Sequence, residues 1–356
     1  MSHSNLLDGS ENVSRPRVLV TGAGGFIGHH LVNHLVTLGY HVRGVDLDRP
    51  AWERTRAHEF LRLDLRLATS CATAVRGMEE VYHLAANMGG MGFIEFNKAQ
   101  IAHDNVLIDA NMLEASHREG VSRFFYSSSA CVYPPFRLLS PDAAPLREED
   151  AYPADPVDGY GWEKLYMERL CRHYREDFGL ETRVARFHSM YGPLGTFEGG
   201  REKAPAAICR KVALADDGGT INIWGDGAQT RTYCYIDDCV EGMHRLMRSE
   251  HHQPINLGSD ELITIDDLAL LTARVAGKRL QLRHVPGPQG VRGRGSDNTR
   301  MREVLQWEPR VSLEEGMRRT YGWIASEVRA TRDASAHVGH RSMGNVTTAS
   351  SAHPAG

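Results

Sequence analysis

Hydrophobic residues in the first half of the chain fall in short, nearly continuous runs, with longer stretches of helical spacing between them. Residues 17–21 (RVLVT), 41–45, 81–84, 123–127 and 182–187 are rich in Val, Leu, Phe and Tyr, as strands buried on both faces are. A further short strand ends near Asp64. Helical spacing is seen from residue 26 to about 38, over 106–118, and in the stretch that contains Tyr160. Strands alternating with helices predict a mostly parallel sheet covered on both faces.

Between the first strand and the first helix stands Gly22-Ala23-Gly24-Gly25-Phe26-Ile27-Gly28. Gly22, Gly25 and Gly28 allow a tight turn, a close approach of backbone to a pyrophosphate, and tight packing of helix on strand. Phe26 and Ile27 open the helix and are assigned to the same site. Asp46 ends the second strand, where a carboxylate accepts hydrogen bonds from an adenosine ribose and repels a 2′-phosphate. It therefore favours NAD over NADP, although Arg43 and Arg49 lie nearby. Asp64 is placed in the cofactor site too. The expectation is an α/β fold with a Rossmann-type doubly wound parallel sheet.

After residue 191 the elements shorten and glycine and proline punctuate them, as in Gly192-Pro193, Trp224-Gly225-Asp226-Gly227 and Val285-Pro286-Gly287-Pro288. This predicts a smaller C-terminal α/β domain that binds substrate. The expected division is a flexible tail over 1–14, an NAD-binding domain over 15–190 with 233–258 returning to it, a substrate domain from 191–232 and 259–330, and a disordered tail over 331–356. The proline-rich, charged segment 130–158 follows a strand end and is read as an active-site loop region.

A formal net charge of -4 gives no reason to expect nucleic acid as a partner. No apolar run approaches the ~18 residues that span a bilayer, so no membrane partner is expected. The six cysteines show neither a Cys-x-x-Cys pair nor metal-ligand spacing, which fits free thiols in a reducing, cytoplasmic setting and no metal.

The chemistry is concentrated around Tyr160 and Lys164. Four residues apart on a helix, they share one face, and an ammonium beside a phenol favours the phenolate as a base. With the glycine turn and Ser127-Ser128-Ser129-Ala130-Cys131 after a strand, Tyr160-x-x-x-Lys164 resembles the extended short-chain dehydrogenase/reductase family, the NAD-dependent epimerases and dehydratases. The resemblance implies that Ser129 and Tyr160 meet the hydroxyl that is oxidised. Lys164 would contact the nicotinamide ribose and lower the tyrosine pKa.

Further stretches resemble the members of that family that invert C5, or both C3 and C5, of GDP-mannose. They are residues 85–92 (AANMGGMG), 129–134 (SACVYP), 199–205 (GGREKAP), 224–231 (WGDGAQTR) and 287–294 (GPQGVRGR), and the similarity runs in order from about 18 to 328. Oxidation at C4 acidifies the hydrogens at C3 and C5, because both carbanions are then enolates of the new ketone, and the cofactor is restored when C4 is reduced again. By resemblance the second acid/base pair is Cys131 and Lys203, and the products are GDP-L-galactose or GDP-L-gulose. Arg201, Lys211, Gln229, Arg231, Arg292 and Arg294 are candidates for the nucleotide, with Gly89, Gly90, His188 and Ser189 toward the hexose.

Two positions depart from the family pattern. Ser189 follows His188 where an asparagine is expected, which puts hexose placement and the choice between one inversion and two in doubt, and Asn87 stands in place of an aspartate. The resemblance also implies a homodimer, with helices 106–118 and 160–178 forming a four-helix bundle. Rival readings are a nucleotide-sugar 4-epimerase or dehydratase on the same scaffold, or a non-catalytic dinucleotide sensor. Ala130-Cys131 in place of an Asp-Glu pair argues against a dehydratase, and the retained Tyr160 and Lys164 against a sensor.

Overall fold

A computed structural model describes residues 15–288 and 290–343. In chain order the elements are β1 (Arg17–Thr21), α1 (Phe26–Thr37), β2 (His41–Asp46), β3 (Glu59–Arg62), α2 (Ala68–Val75), β4 (Glu80–His83), α3 (Met91–Phe96), α4 (Lys98–Arg118), β5 (Arg123–Ser129), α5 (Gly159–Phe178), β6 (Glu181–Phe187) and β7 (Ser189–Tyr191). There follow α6 (Ala204–Leu214), β8 (Thr220–Trp224), β9 (Thr230–Tyr235), α7 (Ile236–Arg248), β10 (Ile255–Leu257), β11 (Leu262–Thr264), α8 (Ile265–Val275), β12 (Gln281–Val285), β13 (Gly293–Arg294), α9 (Thr299–Leu305) and α10 (Leu313–Met343).

Seven strands form one parallel sheet in the order β10-β6-β5-β4-β1-β2-β3. From β1 the chain winds outward to β3, then crosses back to β4 and winds the other way. The strand ends of β1 and β4 therefore flank a crevice, where such sheets bind their ligands. Val18, Leu19 and Val20 have no exposed surface, as a strand covered on both faces requires.

A second sheet holds β9 between β11 and β13, with β7 also paired to β9, and β8 pairs with β12 apart from it. In its register Arg294 stands opposite Arg231. Segment 130–158 contains only short 3₁₀ turns. One expectation changes at the C-terminus. Residues 331–343, assigned to a disordered tail by composition, continue α10 as helix, and Thr331 Oγ1 donates to the Glu327 carbonyl at 3.0 Å. The segment holds no proline and a single glycine, so nothing in it stops a helix already begun. Residues 1–14 and 344–356 lie outside the described residues.

Candidate active site

Gly22 adopts φ +69°, and a Cβ there would press on the backbone of Leu84 and Ala85 at 3.0 Å. A Cβ on Gly28 would collide with the Gly22 carbonyl. Here the glycines are needed for backbone geometry. No side chain caps the start of α1 at Gly25, which leaves the first-turn N–H groups of Phe26 and its neighbours available to an anion. The Asp46 carboxylate accepts from Gly24 N at 2.9 Å and Leu47 N at 2.7 Å, and burial raises its pKa despite those bonds. Asp64 is engaged by Arg66 at 2.7 Å, which lowers its pKa. A cradle of bare backbone, an uncapped helix start and a strand-end carboxylate fit a dinucleotide.

The end of β5 and the first turn of α5 are built against each other. Ser129 Oγ accepts from Cys131 N at 3.1 Å, and a Cβ on Gly161 would collide with the Cys131 carbonyl. Gly161 thus lets α5 seat Tyr160 beside Ser129 and Cys131. Asp158 starts that helix by accepting from Gly161 N at 2.9 Å. Farther along α5, Glu168 holds Arg186 of β6 by paired bonds of 2.8 and 2.7 Å, which pins the helix to the sheet.

Lys164 is fully buried, with its Nζ 4.8 Å from the Tyr126 ring centre and 5.7 Å from that of Tyr160. Burial dominates and raises the Tyr160 pKa. Lys164 lowers it, as an ammonium beside a phenol should, and Ser129 acts in the same direction. The ammonium is shared with Asp109 at 3.3 Å.

Cys131 is half-buried, whereas the other five free thiols are buried. Arg294 Nη1 donates to its sulfur at 3.6 Å. Lys203 precedes α6 and reaches the same cleft. Its side chain is exposed to solvent, so the lowering of its pKa by the surrounding protein is modest; Cys131 opposes that shift and Arg294 adds to it. Arg231 is 9% exposed and donates to the carbonyls of Thr230 and Val291, both at 2.7 Å. Burial first, then Arg294, pulls its pKa down to about 10. Arg231 and Arg294 thus make a paired cationic wall beside Cys131.

The remaining expected residues separate. Arg292 forms paired bonds of 2.9 Å with Asp226, while Lys211 donates to the Asn222 carbonyl at 2.8 Å beside Trp224. Gln229 is buried, and its carbonyl receives Ile265 N at 3.0 Å. Arg201 lies 3.9 Å over the Phe93 ring. Gly90 donates to the Arg201 carbonyl at 3.0 Å, and a Cβ on it would collide with the Glu202 carbonyl. Its bareness therefore serves the seam between the 87–94 and 199–203 loops. A Cβ on Gly89 would meet Phe93. Ser189 pairs with Tyr233 at the start of β7.

His188, expected toward the hexose, is only 2% exposed and its ring bonds Asn256 at 3.2 Å; burial pulls its pKa down to about 3. Its side chain presents no surface to a ligand. Among the described residues, His34, Glu241 and His244 are gathered as metal ligands can be. Glu241, however, is paired with Arg245 at 2.5 Å and His244 with Tyr40 at 3.0 Å, so the trio serves as the α1–α7 contact.

Sequence reasoning missed Asp109, His83 and Thr21, which form a buried chain behind Lys164. His83 and Asp109 read as a strand end and a polar helix position, and only their convergence gives them meaning.

Residues 18–258 match the model of the NAD dependent epimerase/dehydratase family. The GDP-mannose 3,5-epimerase 1 of Oryza sativa subsp. japonica is 47% identical over 319 residues, covering 88% of this chain and 82% of its own. Among solved structures, the UDP-glucose 4-epimerase of Thermotoga maritima with UDP-glucose aligns with a TM-score of 0.79 at 27% identity, over 88% of this chain and 99% of that one. The UDP-glucuronic acid 4-epimerase of Bacillus cereus, in complex with UDP-glucuronic acid and NAD, aligns at 0.75 and 26% identity, over 87% and 99%.

Proposed function

Because the chain belongs to the NAD dependent epimerase/dehydratase family, we propose that it is an NAD-dependent isomerase that inverts C5 of GDP-mannose, with or without C3. The products are GDP-L-gulose or GDP-L-galactose. The observation that supports this reading is the place of Cys131, which packs against Tyr160 on one side and lies within the field of Lys203 on the other.

Bound NAD supplies a reversible hydride acceptor for C4. Tyr160 takes the C4 hydroxyl proton, with Ser129 orienting that hydroxyl and Lys164 favouring the phenolate. Burial raises the Tyr160 pKa, and Lys164 and Ser129 are the groups that work against it. Cys131 and Lys203 then remove and return the proton at C5 from opposite faces. The position of Lys203 supports this role: it stands ahead of α6, exposed to the cleft and within the field of Cys131.

Gly22, Gly25, Phe26, Ile27, Gly28, Asp46 and Asp64 hold the dinucleotide in this proposal. Arg231 takes the diphosphate of the nucleotide sugar, supported by its burial without a carboxylate partner among the described residues. Arg292, Lys211 and Gln229 belong to the nucleoside end and Arg201 to the hexose end.

The chain works as a homodimer in the reducing cytoplasm. Exposed Leu107 on α4 with Trp162 and Tyr166 on α5 supports a covered face there, and the six free thiols support the compartment. No helix among the described residues is long and apolar enough to cross a membrane. The test is incubation with GDP-mannose in deuterated water. Deuterium at C5, with or without C3, is expected, and its absence from both positions refutes the reading in favour of a 4-epimerase or another reaction.

A further inference from the structure

Behind Lys164 the buried polar groups form one continuous chain. Thr21 Oγ1 accepts from Leu84 N at 3.0 Å and Ala85 N at 3.1 Å. Both lone pairs of that hydroxyl are occupied, so its own proton points to His83 Nδ1, 2.8 Å away. His83 Nδ1 is thereby an acceptor, and Nε2–H donates to Asp109 Oδ1 at 2.9 Å. The other carboxylate oxygen receives Tyr126 OH at 2.7 Å and Lys164 Nζ at 3.3 Å. Asp109 has no exposed surface. Every donor that reaches it fixes it as a carboxylate.

We propose that Asp109 is a positioning residue for Lys164. Its carboxylate holds the ammonium under Tyr160 and, through His83 and Thr21, ties it to the strand end from which the glycine turn springs. The proposal rests on the catalytic reading of Tyr160 and Lys164 given above.

The arrangement has an electrostatic consequence. A carboxylate 3.3 Å from the ammonium offsets part of the field that Lys164 exerts on the Tyr160 phenol. Other groups face the same place. Glu163 approaches Lys164 at 3.7 Å, Tyr126 and His83 bond Asp109 directly, Cys171 on α5 lies within its field, and Cys131 faces Tyr160 from the turn after β5. Of these, only Asp109 couples the ammonium to the cofactor turn. Loss of its charge leaves Lys164 less compensated and less well placed. The phenolate of Tyr160 then becomes easier to form, while turnover falls because the ammonium no longer points where it is needed.

The test compares the purified full chain, saturated with NAD, with Asp109→Asn and Tyr126→Phe. Each is measured with and without Tyr160→Phe, so that the phenolate absorbance of Tyr160 is isolated from that of Tyr126. At about pH 10 the Asn variant is expected to show at least twofold more Tyr160 phenolate than the parent. Its turnover of GDP-mannose should fall at least tenfold, and the acidic limb of its pH profile should move to lower pH. Tyr126→Phe, which removes a hydrogen bond but no charge, should show neither shift.

Equal behaviour of the two variants, or no Tyr160-dependent difference, overturns the proposal. The spectrum needs no substrate, so a parent chain inactive on GDP-mannose refutes the functional reading without touching this one. Should Asp109→Asn unfold, Asp109→Asn/Lys164→Met removes both buried charges, and recovery of a folded chain is the expected result. Failure to recover assigns Asp109 to the core alone and overturns the proposal.

Discussion

Arg294 donates to the sulfur of Cys131 at 3.6 Å from a strand that belongs to a different sheet. Cys131 is the one cysteine among the six that is not buried, so it is the thiol a reagent can reach. Alkylation by iodoacetamide should therefore proceed with one fast site, mapped by peptide mass to Cys131. Arg294→Gln, which takes away the donor on that sulfur, is expected to change the rate at that site alone and to leave the five buried thiols as they were.

Removing either member of the proposed second pair separates the two acid/base systems. Cys131→Ser and Lys203→Met should each lower deuterium incorporation at C5 by roughly 10²- to 10⁴-fold, the usual scale of general acid/base catalysis. Reduced-nicotinamide fluorescence on adding GDP-mannose should persist, because Tyr160 and Lys164 are untouched. Loss of that fluorescence in both variants would place the two residues in the redox step instead.

Arg231 is a buried cation that, among the described residues, is held by the backbone carbonyls of Thr230 and Val291 and by no carboxylate. Burying a charge without a counter-charge is costly, so Arg231→Met should leave the midpoint of unfolding unchanged or raised. KM for the nucleotide sugar should rise about tenfold or more, as for the loss of a charged hydrogen bond worth roughly 1.5–3 kcal/mol. Arg231→Lys should recover little of it, since an ammonium cannot make the paired contact.

Glu163 is buried, and burial lifts its pKa from 4.5 to about 8 although Lys164 pulls the other way. A carboxyl with a raised folded-state pKa keeps a proton that the unfolded chain gives up. Its contribution to stability is present below about pH 4.5 and is lost as the pH rises toward about 8. Glu163→Gln removes this titration. Denaturant unfolding at about pH 6 and about pH 9 should show a smaller difference between the two pH values in the variant than in the parent.

The glycine turn and the alternation of strands and helices were legible because they are local: periodicity and turn chemistry state them directly. Tyr160 and Lys164 were legible for the same reason, their spacing on one helix. What could not be read was what lies opposite. Lys164 faces Asp109 from another helix, and Arg231 faces Arg294 through a strand register that sequence spacing does not reveal. His188 was placed toward the hexose by resemblance alone, and the return of β10 to the sheet buries it against Asn256. In residues 331–343 a tail-like composition concealed the simple fact that nothing there ends a helix.

Gly90 supplies a mechanical test. A Cβ at this position would strike the Glu202 carbonyl, one residue before Lys203. Gly90→Ala should keep the fold, seen as an unchanged circular dichroism spectrum, and lower kcat at least tenfold, in line with the cost of misplacing a catalytic group by about 1 Å.

Cys131 lies just past β5 of the seven-stranded sheet, while Lys203 stands ahead of α6, which packs on α8 and α10. On the proposed reading the inverting pair is therefore split between two separately packed supports. A substitution that loosens α6 against α8 and α10 would then cost inversion while sparing the redox step assigned to Tyr160, which rides on α5.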